Sequence, residues 1–225
     1  MSLVELITQA DERGLAASAV ACLDRCLPLL DPAPAETLRP LWGAVAEGGA
    51  HWAGRLAEAG ASLDGAAPTA GRTPEGGAPA GAAGTGPAQG TGADAAPGAD
   101  APSAGEAGLV REALGAAPAD WAEGPLREWA DACSRMALEL HHRLEAAPSG
   151  SPAACRTGGT ETLGPLVSGE LRRQTLALEI LAEGSPDAVR RVLDLSAEGQ
   201  RVLRAVVSRR TRGGETPSGA ALTAP

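Results

Sequence analysis

Between Leu63 and Leu109 the chain runs for 45 residues without a Leu, Ile, Val, Met or Trp. The stretch is built mainly of Ala, Gly, Pro and Thr, with six prolines from Pro68 to Pro102 and few charges. Such a segment has almost no apolar surface to bury and cannot offset the entropy of ordering its backbone. Residues 64–105 are therefore expected to form a disordered, low-complexity linker. As a Gly-rich coil it would span roughly 35–40 Å root-mean-square. It divides an N-terminal helical segment, residues 1–63, from a C-terminal helical bundle, residues 106–212, and a disordered tail is expected over 213–225. An Ala-rich segment the length of the first part is marginal alone, and each doubling of a loop costs only about 0.6 kcal/mol. The N-terminal helices are accordingly expected to pack on the C-terminal ones, with the tract as a surface loop.

Composition limits the chemistry. Of 98 hydrophobic residues 49 are Ala and 39 are Leu, Ile or Val, so the core must be built from small side chains. Lys, Asn, Phe and Tyr are absent beside abundant Ala, Gly, Pro and Arg, the pattern a GC-rich bacterial genome produces. Without Lys there is no Schiff base to pyridoxal, no P-loop lysine and no kinase-type lysine. The Gly-rich stretch from Gly81 to Gly92 lacks both a lysine and a flanking strand, so it does not read as a phosphate cradle. Neither a G-x-S-x-G elbow nor an H-E-x-x-H zinc motif occurs. No cofactor is expected. The opening Met1-Ser-Leu-Val-Glu5 has no basic-then-apolar leader pattern, the apolar run near Ala16–Leu30 is interrupted by Asp24 and Arg25, and four cysteines do not make a disulfide framework. A cytoplasmic chain without membrane contact is the expectation.

Outside the breaks, apolar residues recur at helical spacing. Ser2-Leu-Val-Glu5 is a capping box for a first short helix. A second, from about Glu12 to Leu27, places Leu15, Ala19, Cys22, Leu23 and Cys26 on one stripe and ends at Pro28. Thr37 is expected to cap a third helix, stopped by Gly48-Gly49, and a fourth carries Trp52, Leu56 and Leu63. Ser103-Ala-Gly-Glu106 is a second capping box. Leu126, Ala130, Cys133, Ala137, Leu140 and Leu144 then alternate steps of four and three, the seam of a bundle helix. A long helix from Thr160 to Ala182 is expected to lie centrally, because Leu166, Leu176, Ile180 and Leu181 widen its apolar surface. Ser185-Pro186 opens another helix, and Ser196 is expected to cap a last one carrying Val202, Leu203, Val206 and Val207. Period-two alternation is missing throughout. The fold class expected is all-α, a helical bundle of about seven to nine helices interrupted by the Ala/Gly/Pro-rich insertion.

Four constellations are candidates for function. Cys22 and Cys26, at i and i+4, share a helical face and could hold a metal or sense oxidation, yet both fall on the apolar stripe, where free Cys packs as a small hydrophobe. Glu139 and His142 match half of the Glu-x-x-His pattern of ferritin-like dimetal bundles, a resemblance covering four residues with no second copy in the chain. The third is arginine: Arg190, Arg191, Arg201, Arg204, Arg209, Arg210 and Arg212 give residues 185–225 a local charge of +3 while the rest of the chain carries -12. Two helices meeting near Leu195-Ser196, with arginines on the second, resemble a helix-turn-helix. The fourth is Trp42, Trp52, Trp121 and Trp129, expected in a core short of large side chains and otherwise available as interface anchors. The reading that follows is a non-catalytic interaction or regulatory protein presenting helical surfaces to a protein partner or to itself. Its rival is a nucleic-acid-binding regulator using residues 185–212. An enzyme would need the thiols or the Glu139/His142 pair to carry metal.

Overall fold

A computed structural model describes residues 1–30, 36–65 and 104–214. The tract at 66–103, the Ser103 cap and the tail beyond 214 lie outside the described residues. Within them the chain forms α1 (Leu3–Gln9), α2 (Glu12–Cys26), a 3-10 turn (Leu27–Leu29), α3 (Arg39–Ala46), α4 (Trp52–Gly65), α5 (Ala104–Gly115), α6 (Glu123–Arg143), α7 (Pro152–Arg156), α8 (Pro165–Ala182) and α9 (Ala188–Gly214). Among the described residues there is no strand, so the all-α expectation holds.

Local chemistry explains most boundaries. Ser2 Oγ accepts from the Glu5 backbone while the Ser2 N–H donates to Glu5 Oε2 at 2.7 Å, closing the expected capping box. Asp11 caps α2 by accepting from the Gly14 N–H at 2.7 Å. Gly48 and Gly49, at φ 68° and 88°, end α3, and Gly49 has no alternative, because a Cβ there would sit 2.3 Å from the Trp121 ring. The third helix starts at Arg39 with Leu38 at its cap, so Thr37 is a buried turn residue and not the cap.

The centre of the bundle is α2, not α8. Every residue from Gly14 to Cys26 is buried, because α6, α8 and α9 surround the helix and α3 and α5 contact its remaining flanks. Small residues such as Ala16, Ala17, Ala19 and Ala21 let those neighbours approach closely. α8 instead keeps one face to solvent, with Leu176 41% exposed. The α6 seam is as spaced in the sequence: Leu126, Ala130, Cys133, Ala137, Leu140 and Leu144 are all buried. Three tryptophans stack edge to face, Trp52 against Trp121 and Trp129 with centroids 5.2 and 5.8 Å apart. Trp52 and Trp129 donate their indole N–H groups to the Pro118 and Ala113 carbonyls.

The helix expected to open at Ser185-Pro186 begins at Ala188, and two further expected boundaries move for a physical reason. α8 begins at Pro165 and not at Thr160, because a residue before proline is driven out of the helical region, and Gly164 is extended at φ -60°, ψ 159°. Its first N–H groups are satisfied from another helix's end: Glu145 Oε1 accepts from Leu166 at 2.6 Å and Val167 at 3.0 Å. The second change is larger. α9 is one unbroken helix through Leu195-Ser196, so the expected turn there does not exist and the likeness to a helix-turn-helix is lost. Val189, Val192, Ser196, Gly199 and Leu203 are all buried at alternating steps of three and four, which makes Ser196 and Gly199 members of the seam.

Gly199 is small because Arg25 lies beneath it: a Cβ would meet Arg25 Cδ at 2.4 Å. Arg25 projects from α2 into the interior and pairs with Glu170 of α8, both side chains 0% exposed. Nη2 donates to Oε1 at 2.7 Å and Nε to Oε2 at 2.8 Å, a two-point geometry that only a guanidinium supplies. Removing one partner of such a pair strands the other charge, which costs about 3–5 kcal/mol, whereas replacing both with apolar groups of similar volume is near neutral. Glu170→Gln is therefore expected to lower unfolding stability by roughly that amount in a urea titration, and Arg25→Met with Glu170→Leu to recover most of it. Equal losses in the single and double variants would show that the pair is not what those side chains contribute.

Candidate functional site

A continuous polar network grows from the buried ion pair. Gln174, one turn beyond Glu170 on α8, donates to Glu170 Oε1 at 2.9 Å, and its Oε1 accepts from Ser134 of α6 at 2.6 Å. Ser134 Oγ accepts from Arg156 Nε at 3.2 Å, and Arg156 Nη2 donates to Asp131 Oδ1, tying α7 to α6. His141 of α6 places Nε2 3.7 Å from Glu170 Oε2 and bonds the Ala137 carbonyl through Nδ1 at 2.7 Å. Burial pushes the Glu170 carboxyl up, but the Arg25 and His141 charges and the bonds from Arg25 and Gln174 override it and hold the group below its usual range. Burial of His141 outweighs the attraction of Glu170 and holds the imidazole below its ordinary value. Most of the strong donors here face acceptors within the bundle, the chemistry of a clamp between helices, while Arg25 Nη1 is buried without a hydrogen-bond partner.

The metal and thiol candidates separate in space. Cys22 and Cys26 are buried on α2, and Cys133 of α6 lies close enough for the three to influence one another's charge. Burial raises all three thiols, Cys22 to about 12 and Cys26 and Cys133 well above their ordinary value. Such thiols are protonated and poor nucleophiles. Glu139 is exposed and paired with Arg143 at 2.9 Å, while His142 is half-buried, so the adjacent His141 is the histidine that enters the core. Among the described residues no group of three or more His, Cys, Asp and Glu is placed to hold a metal ion.

The arginines occupy a different environment. Arg190, Arg201, Arg204 and Arg212 are exposed on one side of α9, a stripe that extends about 33 Å along the helix. Arg201 pairs with Glu198 at 2.9 Å, Arg191 with Glu183, and Arg204 donates to Gln200 at 3.2 Å. Arg209 and Arg210 turn toward a second feature. Together with Leu144, Ala146, Pro165, Leu166, Val202 and Val206 they line an open groove of about 560 Å³ where α6 ends, α8 begins and α9 continues past both. Arg210 Nη2 donates to the Arg143 carbonyl at 2.8 Å, closing the C-terminus of α6. Glu145 also borders the groove, but its Oε1 is committed to the first N–H groups of α8, and Gly164 makes room for it, since a Cβ there would come within 2.4 Å of the carboxyl.

Sequence reasoning located the arginines and missed the network. Its signal was Asp24-Arg25 inside the most apolar helix of the chain: a charge at that position is either a break or a buried partner, and the partner lies 145 residues away on Glu170. Comparison with protein-family models, curated proteins and solved structures finds no match for this chain. Among the described residues no helix is long and apolar enough to cross a membrane.

Two measurements follow from these environments. Under native conditions a thiol reagent is expected to modify Cys155, the one half-exposed cysteine, well ahead of Cys22, Cys26 and Cys133, which become equally reactive only on unfolding. Fast native labelling at Cys22 or Cys26 would contradict the buried placement. Asp24 behaves oppositely to Glu170: burial raises its carboxyl to about 6 despite Arg25, Gln200, Trp42 and Arg204 nearby. The fold thus binds a proton more readily than the unfolded chain, and stability falls as pH rises from about 4 to about 6. Asp24→Asn is expected to stabilise the protein at neutral pH by on the order of 1–3 kcal/mol, with the gain vanishing below about pH 4. A gain that persists in acid would refute the assignment.

Proposed function

We propose that this chain is a non-catalytic cytoplasmic interaction protein, and that the exposed arginine face of α9 is its contact for an acidic protein partner. The observation that carries the reading is the contrast between that face and the rest of the molecule: residues 185–225 carry +3 against -12 elsewhere, and Arg190, Arg201, Arg204 and Arg212 project from one side of a single rigid helix. An uninterrupted helix of about 40 Å anchored along its inner seam is a preorganised docking edge, so little ordering cost falls on the encounter. A complementary acidic surface would be steered onto it. The Arg25–Glu170–Gln174–Ser134–Arg156 network supports the same reading, because those groups bond one another and the helices they join.

Arginines can equally face phosphates, and the test separates the two. The tagged full-length chain is captured from the cells that make it, with and without nuclease, and compared with an Arg201→Glu, Arg204→Glu variant. A protein partner that survives nuclease and is lost by about tenfold or more on charge reversal supports the proposal. Recovery of nucleic acid in its place, with affinity falling steeply as salt rises, overturns it in favour of a phosphate-binding face. A protein partner indifferent to the reversal overturns the assignment of the site.

A further inference from the structure

We infer that the groove at the junction of α6, α8 and α9 receives an amphipathic helix with an acidic flank, supplied by the partner, as a missing member of the bundle. The inference rests on the interaction reading above and names the shape and chemistry of what docks. α9 is nine residues longer than α8, which it lies against, so its last turns overhang the bundle. Val206, where that overhang begins, and Val202, one turn before it, remain only half-buried, although they flank a seam buried as far as Leu203. Leu144 and Leu166 supply the opposite wall from the end of α6 and the start of α8. In a bundle each apolar flank faces another helix at about 8–10 Å, and here the flank faces an open channel. The free length of the overhang suits a segment of about two to three turns.

Charge selects the segment. Arg209 and Arg210 line the groove, and the one acid in its lining, Glu145, is buried and turns Oε1 to the N–H groups of Leu166 and Val167 at the positive end of α8. The groove is thus apolar along its floor and cationic along one edge. That combination favours a helix with aliphatic residues at i, i+3/i+4 and i+7 and Asp or Glu beside them. A basic helix of the same apolar pattern meets like charge on the arginine edge and is rejected.

The probe is a synthetic fluorescent helix of about three turns with Leu at i, i+3 and i+7 and Glu and Ala elsewhere, titrated into the full-length protein by anisotropy. The control peptide has Lys in place of Glu. The expected result is saturable binding of the Glu peptide only, weakened about tenfold or more by Val206→Glu and also by Arg209→Glu with Arg210→Glu. The arginine pair is exposed, so that variant keeps the test decisive if Val206→Glu perturbs folding, as circular dichroism would show. Equal binding of the two peptides, or affinity unchanged in the arginine variant, overturns the inference. Failure of the peptide alongside an Arg201- and Arg204-dependent protein partner removes the groove while the proposed function stands. Groove binding without any partner on the α9 face does the reverse.

Discussion

The interior of this bundle is organised around a charge that cannot leave. Arg25 sits on the helix that α3, α5, α6, α8 and α9 all pack against, with no exposed surface, and Glu170 is its counter-ion across the α2–α8 interface. A guanidinium so placed keeps its proton: burial lowers its pKa, but Glu170 and the neighbouring groups raise it beyond its ordinary value. The position then dictates its surroundings. Gly199 must be small to let α9 pass over the arginine stem. Gln174 and His141 must be polar to complete the environment of the carboxylate. Ser134 and Arg156 follow because Gln174 itself needs a partner. A core made mostly of Ala, Leu and Val is interchangeable in many registers, and a two-point ion pair is not. One consequence of burying it is that α2, α6 and α8 have a single rotational setting in which the network closes, a role of the kind that buried polar groups serve in fixing register.

The same interaction accounts for what the sequence made legible and what it concealed. Helix content followed from spacing alone, and the α6 seam from Leu126 to Leu144 is buried at every position the pattern marks. Caps formed from neighbouring residues, as at Ser2 and Glu5, were equally readable because donor and acceptor lie three residues apart. Long-range chemistry was not. Ser196 looks like the start of a new helix when considered locally, since serine favours caps. It is a seam position, like Gly199 one turn on, whose smallness is explained by Arg25, more than 170 residues earlier in the chain. In the same way Thr160 resembles a start only until Pro165 and the distant carboxylate of Glu145 are taken together. Of the Glu139–His142 motif, the structure uses His141, the residue the pattern passed over, because the α6 seam rotates that side chain inward.

The candidate surface was legible in part for the converse reason. Arg201 and Arg204 bond only to near neighbours on α9, so helical phase is enough to put them on one side with Arg212. The groove beside them was not legible, because it arises from unequal helix lengths and from the way three termini meet. Val202 and Val206 read in sequence as ordinary core residues, and only the end of α6 at Arg143 and the start of α8 at Pro165 leave them half-covered.

Arginine carries every cationic duty in a chain without lysine, and the two kinds of site ask different things of it. Inside, the requirement is a planar fork whose charge survives burial, which an ammonium would not provide, since a buried lysine readily loses its proton. Arg25 and Arg156 meet that requirement by spending their donors on Glu170, Ser134 and Asp131. Outside, apart from Arg191 with Glu183 and Arg210 with the Arg143 carbonyl, the bonds of the α9 arginines among the described residues are i, i+3 and i, i+4 contacts such as Arg201 with Glu198, which are screened by solvent and contribute little to stability. Stability therefore does not explain why so many arginines gather on the one helix that outruns the bundle. An interior that pairs its central charge within the bundle, beside a terminal helix whose arginines mostly face solvent, is what a surface kept for another molecule requires.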